Sequence, residues 1–152
     1  MARKWFAEAV PPHTAAAETD HPLALAAAAT VTSVVESMAG LGFKSASEAI
    51  LQLAISANGH LNDTAPWSRM KQPGQEVEVG DDLYAVLEAT RIVGLLLAPL
   101  LPDLSDRILA QLGHALNEDA WLAELSWGGL ASGAHLPQPT PVMQRLELEG
   151  EL

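Results

Sequence analysis

The sequence predicts an all-α protein: an antiparallel bundle of about four substantial helices, followed by an irregular C-terminal extension. Apolar residues recur every three or four positions in several long segments, which is the spacing of one buried helix face. Proline and glycine mark the ends of those segments. Hydrophobic residues make up 49% of the chain and charged residues 18%, so the composition supplies enough apolar surface for a packed core.

The first forty residues predict two helical segments. Residues 1–10 have the pattern of a helix end without its beginning, since their apolar side chains have nothing before them to pack against. Residues 14–20 are small enough for a linker. A helix then begins at Pro22, because proline suits the first turn, and ends near Met38 before a Gly-Leu-Gly stretch.

The next predicted helix begins with a capping box, in which Ser45 accepts from the amide of Glu48 and the glutamate reaches back. Its apolar residues keep helical spacing to about Asp63. Residues 64–80 contain two prolines and two glycines and are predicted to form a loop with no regular strand. A further helix is expected from about Asp81, whose negative charge suits a helix N-terminus.

That helix has a wide apolar face and is expected to end or kink at Pro99. A last helix, about Asp103 to Leu112, closes the predicted bundle. Beyond it glycine and proline recur too often for long elements. The sequence therefore divides into a helical domain, residues 1–113, and an irregular extension, residues 114–152.

Composition excludes several classes of function. No cysteine is present, so disulfide frameworks and thiolate metal sites are excluded, and the cytoplasm is the expected compartment. The longest uninterrupted apolar runs fall short of the ~20 residues of a membrane span, so no membrane partner is expected. The net charge of -11, with only eight lysines and arginines, argues against non-specific binding of nucleic acid.

Sequence motifs for catalysis or metal binding are also missing. The five histidines are never three or four positions apart, so spacing predicts no metal pair on a helix. Phosphate-binding glycine loops and the Gly-x-Ser-x-Gly elbow do not occur. The sequence therefore predicts no metal site and no catalytic residue in this chain.

The most distinctive segment is Asp-Thr-Ala-Pro-Trp, which ends at Trp67 and is followed by Arg69 and Lys71. The proline fixes the path of the chain before an indole, and an exposed indole can stack on a nucleic-acid base with a gain of ~1 to 3 kcal/mol. On spacing alone the preferred interpretation is a core tryptophan that seals one helix against the next. Exposure of Trp67 would favour base stacking, and burial would favour a core tryptophan.

This segment resembles the anticodon-binding domain of bacterial or cyanobacterial methionyl-tRNA synthetases, where an alanine-asparagine pair leads into an Ala-Pro-Trp turn. In this chain the alanine-asparagine pair is Ala57 and Asn58. Further matches lie within residues 83–92 and 97–102, so the resemblance covers residues 23–113 and, more faintly, the tail. It implies the helix bundle of class I aminoacyl-tRNA synthetases. It also implies that Trp67 stacks on an anticodon base, with weaker candidates in the set Asn58, Arg69, Lys71 and Arg91.

For Arg91, which lies within an apolar face, two placements are open: a bond to the loop after Trp67, or a side chain that reaches solvent. Asn58 is also open between a base contact and a hydrogen bond at the helix end. The tail segment that begins Trp-Gly-Gly-Leu at Trp127 resembles the strand-like C-terminal part of the family.

By this resemblance, the function is tRNA anticodon recognition as part of a methionine-tRNA ligase. The implied partners are a methionine-accepting tRNA and the catalytic domain of the same enzyme, which would use ATP and magnesium. The family's His-Ile-Gly-His, Lys-Met-Ser-Lys-Ser and Asn-Leu-x-x-Arg elements do not occur here. We therefore expect a fragment that holds no cofactor and cannot charge tRNA by itself. Two alternatives stay open: an acidic helical module that binds protein and no RNA, and, less favoured, an enzyme in its own right.

Overall fold

The computed structural model of the protein describes residues 1–143, so the last part of the predicted extension, residues 144–152, lies outside the described residues. Within residues 1–143 the chain forms eight α-helices and one 3-10 turn, Glu118–Ala120. The α-helices, in chain order, are α1 (Ala2–Trp5), α2 (Ala15–Thr19), α3 (Pro22–Ala39), α4 (Phe43–Thr64), α5 (Pro66–Arg69), α6 (Glu76–Leu97), α7 (Pro102–Gln111) and α8 (Trp121–Glu124).

The four long helices α3, α4, α6 and α7 form the bundle. Helix α4 packs against α3 and α6, and α6 also packs against α7. A connection of only three residues, 40–42, turns the chain back from α3 into α4, as neighbouring antiparallel helices require. The predicted all-helical fold is confirmed, because the described residues contain no strand and only one isolated antiparallel bridge, between Ala9 and His135.

Helix α6 is the central element, and it contributes to two buried clusters. The larger cluster joins α6 to α3, α4 and α7, and the smaller one joins its first half to the N-terminal segment and the tail. Leu95 and Leu96 are fully buried in the first cluster, and Val79 and Tyr84 in the second. Full burial of a leucine or valine side chain contributes roughly 1.5 to 3 kcal/mol.

The predicted starts of two long helices are corrected. Helix α4 begins at Phe43 after Gly42, and no side chain caps it, so the capping box is wrong. The start is set by the turn after α3, where the amide of Gly42 donates to the carbonyl of Ser37 at 2.7 Å. Ser45 therefore falls inside the first turn, and Glu48 instead faces Lys44 at 3.7 Å.

Helix α6 begins at Glu76, five residues before the predicted start, and the predicted loop over residues 64–80 contains the one-turn helix α5. Tertiary packing extends α6, because Val79 is fully buried and a Cβ at Gly80 would lie 2.8 Å from the carbonyl oxygen of Pro12. Asp81 is not a helix-start residue. Its carboxylate accepts from the amide and the hydroxyl of Thr14, at 2.7 and 2.8 Å.

The N-terminal predictions are confirmed at one boundary and revised at others. Helix α3 begins at Pro22 as predicted, and His21 caps it by accepting from the amide of Leu23. The linker predicted over residues 14–20 contains helix α2, and α1 is a single turn. Helix α7 agrees with its predicted bounds to within one residue at each end.

Within residues 114–143 the tail is largely irregular, as predicted, with only the 3-10 turn and α8 as regular elements, but it packs closely on the rest of the chain. Leu125, Leu130 and Leu136 are buried, and each of the two tail tryptophans donates to a backbone carbonyl of an earlier helix. Trp121 donates to Leu95 and Trp127 to Ala17. The strand-like character implied by the resemblance is limited, in the described residues, to the one bridge at His135.

One stretch of the described chain, Ala15–Ala39, is long and apolar enough to cross a membrane by length and composition. This stretch contains both α2 and α3, and it is longer than the uninterrupted apolar runs of the sequence. Helices of bundles meet the same criteria; here 22% of the apolar window is buried, and Leu23, Ala27 and Val34 lie in the larger cluster.

Candidate nucleic-acid interface

The turn that carries Trp67 is a sharp change of direction between two helices. Helix α4 ends at Thr64, α5 begins at Pro66, and Ala65 between them has left-handed backbone angles, φ 43° and ψ 58°. The carbonyl of Ala65 accepts from the amide of Ser68 at 2.9 Å, and this bond forms the first turn of α5 directly after α4. Pro66 is buried and has a restricted φ, so the backbone on the N-terminal side of Trp67 is held firmly.

Trp67 is exposed at the surface, with 43% of its area accessible. The tail tryptophans Trp121 and Trp127 are partly buried and bonded through Nε1 to backbone carbonyls. An accessible indole on a firmly held turn can stack on a planar partner with little loss of its own conformational freedom. The exposure expected of a base-stacking residue is therefore confirmed, and burial between α4 and α6 is not observed.

Arg69, two residues after Trp67, has each of its three side-chain nitrogens engaged in a hydrogen bond. Its Nε donates to Gln75 at 3.2 Å, and its two terminal nitrogens donate to Asp82 at 2.5 Å and to Glu78 at 2.8 Å. Burial acts to lower the pKa of Arg69, but the hydrogen bonds and charges of Glu78 and Asp82 outweigh it and raise that pKa. The guanidinium is neutralised by two carboxylates, so it is a poor phosphate ligand and a good anchor for α5.

Asp82 accepts hydrogen bonds from several elements at once. His60 on α4 lies with Nε2 2.9 Å from Oδ1, and Arg69 on α5 donates to Oδ2. Burial acts to raise the pKa of Asp82, but hydrogen bonds from His21 and His60, the charge of His60 and the bond from Arg69 together lower it. The carboxylate is therefore held ionised and is bonded to side chains of α4 and α5.

Sequence spacing did not find this cluster, because His21 and His60 are 39 positions apart and meet only in the bundle, with ring centroids 4.7 Å apart. The ligand atoms of His21, His60 and Asp82 lie within 4.8 Å of one another. Their chemistry fits a hydrogen-bonded carboxylate better than a metal. The amide of Leu23 donates to Nδ1 of His21, so Nδ1 carries no proton. A metal bound to Nε2 would require the ring proton on Nδ1. The guanidinium of Arg69, which is bonded to Asp82, also repels a cation.

The remaining site residues predicted from the resemblance fall into two groups. Asn58 on α4 and Lys71 after α5 are exposed, and within residues 1–143 no ion pair involves Lys71. Arg91 is 1% exposed, so both placements predicted for it are wrong. It neither bonds to the loop after Trp67 nor reaches solvent, and a nucleic acid on the surface cannot contact its guanidinium.

Arg91 instead fastens the tail to α6, together with Glu88. Arg91 donates to Glu88 and to the carbonyls of Glu124 and Ser126, at 2.7 and 2.6 Å. The carboxylate of Glu88 also accepts from the amides of the tail Gly-Gly-Leu segment. The tail approaches so closely that a Cβ at Gly129 would lie 2.3 Å from Cζ of Arg91.

Comparison with known proteins bears on the role of the exposed Trp67 turn. Residues 10–150 match the family described as the anticodon binding domain of methionyl tRNA ligase. The chain belongs to this family. The match spans the bundle, the turn and the tail, so the resemblance noted from the Ala-Pro-Trp turn is confirmed.

Relatives of this anticodon-binding domain are methionine-tRNA ligases. Over 121 residues, 73% of this chain, it is 40% identical to the methionine-tRNA ligase of Synechocystis sp., and it covers 23% of that protein. The structure of the apo methionyl-tRNA synthetase of Mycobacterium tuberculosis matches 97% of this chain with a TM-score of 0.76 and 26% identity, and the match covers 30% of the synthetase. The same synthetase in complex with methionyl-adenylate matches 95% of this chain with a TM-score of 0.75 and 26% identity, and the match covers 28% of the synthetase. The chain thus spans less than a third of the length of these relatives.

Proposed function

We propose that this domain recognises the anticodon of a methionine-accepting tRNA, as part of a methionine-tRNA ligase, and that Trp67 stacks on an anticodon base. The observation that carries the proposal is an accessible indole on a firmly held turn in a domain of the anticodon-binding family. Stacking tolerates any base, so hydrogen bonds from other groups must supply discrimination among anticodons.

Lys71 and Asn58 are the secondary candidates in this proposal, because both are exposed and lie on the segments that flank the turn. Lys71 would contact a phosphate and Asn58 a base edge or sugar. Arg69 contributes by holding α5 rather than by touching RNA, since its guanidinium is already paired twice.

The other activities of such a ligase are assigned, in this proposal, to protein outside this chain. A catalytic domain would be the protein partner, ATP and magnesium would serve it, and the cytoplasm would be the compartment, with no membrane partner. The Mycobacterium tuberculosis relative in complex with methionyl-adenylate supports the use of an adenylate by a whole enzyme of this kind. The family match favours this function over an acidic protein-interaction module.

Titration with RNA tests the proposal. A methionine-tRNA anticodon stem-loop is added to the protein at low salt, because a chain of net charge -11 repels a polyanion and few cations are available to offset this. Binding is followed by fluorescence anisotropy of the labelled RNA. We expect Trp67→Ala to weaken binding about 5- to 150-fold, the effect of losing one stacked base.

Two controls make the result specific. Leu122→Ala removes another exposed apolar side chain, on α8, and should leave binding unchanged. A stem-loop with an altered anticodon should bind more weakly than the methionine stem-loop. If Trp67→Ala binds both RNAs as the parent protein does, Trp67 is not a base-stacking residue and the interaction-module interpretation gains support.

A further inference from the structure

Trp67 and Arg69 project from opposite sides of helix α5. Successive residues of an α-helix are rotated by about 100°, so side chains two positions apart point in nearly opposite directions. The side chain of Arg69 faces the start of α6, where its acceptors are the capping residue Gln75 and the helix residues Glu78 and Asp82, and that of Trp67 is exposed to solvent. Any contact that fixes the rotation of α5 through Arg69 therefore also fixes the direction in which the Cα–Cβ bond of Trp67 leaves the helix.

The acceptors of Arg69 form one stripe at the start of α6. Gln75, Glu78 and Asp82 are separated by three and four positions, which places them on one helix face. The guanidinium is planar and rigid, so bonds in three directions define both its position and its orientation. Glu78 is mostly exposed, whereas the Asp82 side chain is only 13% exposed, so Asp82 is the sheltered point of the three.

Asp82 also ties this contact to the bundle. His60 on α4 donates to the same carboxylate, and the ring of His21, the capping residue of α3, packs edge-on against His60. Asp82 thus bonds directly both to α4, the helix before the Trp67 turn, and to α5, the short helix that contains Trp67. The two sides of the left-handed turn at Ala65 are held by one carboxylate.

We infer that Asp82 is a positioning residue for base stacking: by holding Arg69 and His60 together, its carboxylate sets the direction in which Trp67 presents its indole to the anticodon. This inference rests on the proposed function of Trp67. Asp82 itself does not touch RNA, because its carboxylate is occupied by side chains of the protein and carries a charge that repels phosphate.

The test compares Asp82→Asn with Asp81→Asn in the same stem-loop titration. Both variants remove one negative charge at neighbouring positions of α6, so a change in overall repulsion of RNA is the same in both. Asp81 bonds to Thr14 and not to α5, so Asp81→Asn is the matched control. We expect Asp82→Asn to bind about two- to tenfold more weakly than Asp81→Asn, the cost of ordering a loosened side chain on binding.

A spectroscopic readout separates positioning from general loss of structure. In protein labelled with fluorotryptophan, each of the four tryptophans gives one fluorine NMR signal, and Trp67→Phe identifies the signal of Trp67. Asp82→Asn should shift or broaden that signal. The signals of Trp121 and Trp127, which lie on the tail, should stay in place.

The outcomes distinguish this inference from the proposed function. If Trp67→Ala weakens binding but Asp82→Asn matches Asp81→Asn, the positioning role is refuted and the function of Trp67 stands. If Trp67→Ala has no effect, the proposed function fails and the inference fails with it. Should Asp82→Asn not fold, Arg69→Lys replaces it, since lysine keeps the charge but lacks the planar guanidinium, whose three nitrogens bond to Gln75, Glu78 and Asp82 in a fixed geometry. Parent-like binding and an unshifted Trp67 signal in Arg69→Lys would then refute the positioning role.

Discussion

At the scale of residues, Glu88 and Arg91 form a buried ion pair one turn apart on α6, with both side chains essentially inaccessible. Burial of charge is costly unless every donor and acceptor is bonded. Here the tail supplies the missing partners, three amides for the glutamate and two carbonyls for the arginine. The pair and the tail backbone therefore depend on each other.

Glu88→Gln should be strongly destabilising. The glutamine keeps the shape but removes the negative charge, which leaves the Arg91 guanidinium buried without a counter-charge at a cost of about 3 to 5 kcal/mol. Urea unfolding followed by circular dichroism measures this loss. Glu76→Gln, on the exposed first turn of the same helix, is the control and should cost less than about 1 kcal/mol. Equal losses in the two variants would contradict the structural role of the pair.

At the scale of elements, α6 is longer and more buried than its local sequence indicates. Its wide apolar face packs against α3, α4, α7 and the tail, so most of its circumference is covered. Burial is uneven along this face. Leu96 is fully buried in the larger cluster, whereas Leu87 is only partly buried at the edge of the smaller one.

Leu96→Ala and Leu87→Ala should therefore differ, although both are leucines of one helix. Leu96→Ala is expected to cost about 2 to 5 kcal/mol, because it leaves a cavity that the surrounding helices cannot fill. Leu87→Ala should cost less, because solvent already reaches part of its side chain. Both values come from the midpoints and slopes of urea unfolding curves. A larger loss for Leu87→Ala would show that α6 is rotated relative to this structure.

At the scale of the whole molecule, the described residues form one bundle to which the tail is fastened by buried leucines and by the Glu88 and Arg91 pair. The predicted division at residue 113 therefore does not coincide with a break in packing. The family match also continues across this position, from residue 10 to residue 150. The molecule presents one accessible tryptophan turn and, within the described residues, no cluster of side chains suited to adenylate formation.

We expect the chain by itself to show no methionine-dependent exchange of pyrophosphate into ATP. The physical reason is that the sequence contains neither of the family's two ATP-binding elements, so no group is placed to stabilise charge on a reacting phosphate. Purified protein is assayed with methionine and magnesium against a blank without protein. Exchange above the blank, persisting through a second purification step, would contradict this expectation.

Local sequence is sufficient to predict the all-helical fold, the start of α3 at Pro22 and the bounds of α7, because helical periodicity and proline signals act within a few residues. The Ala-Pro-Trp turn also identified the family, and with it the one residue proposed to stack on RNA. These features depend on short segments whose conformation or identity needs no distant partner.

The other features of the fold and of the candidate site depend on packing between segments that are distant in sequence. The early start of α6 depends on packing of its first turns under the N-terminal segment, and the burial of Arg91 depends on a tail that lies more than thirty residues away in sequence. The cluster of His21, His60 and Asp82 forms only because three helices meet at one point. Whether an arginine is a free cation or a buried anchor depends on which carboxylates and carbonyls surround it, and only the folded chain brings these groups together.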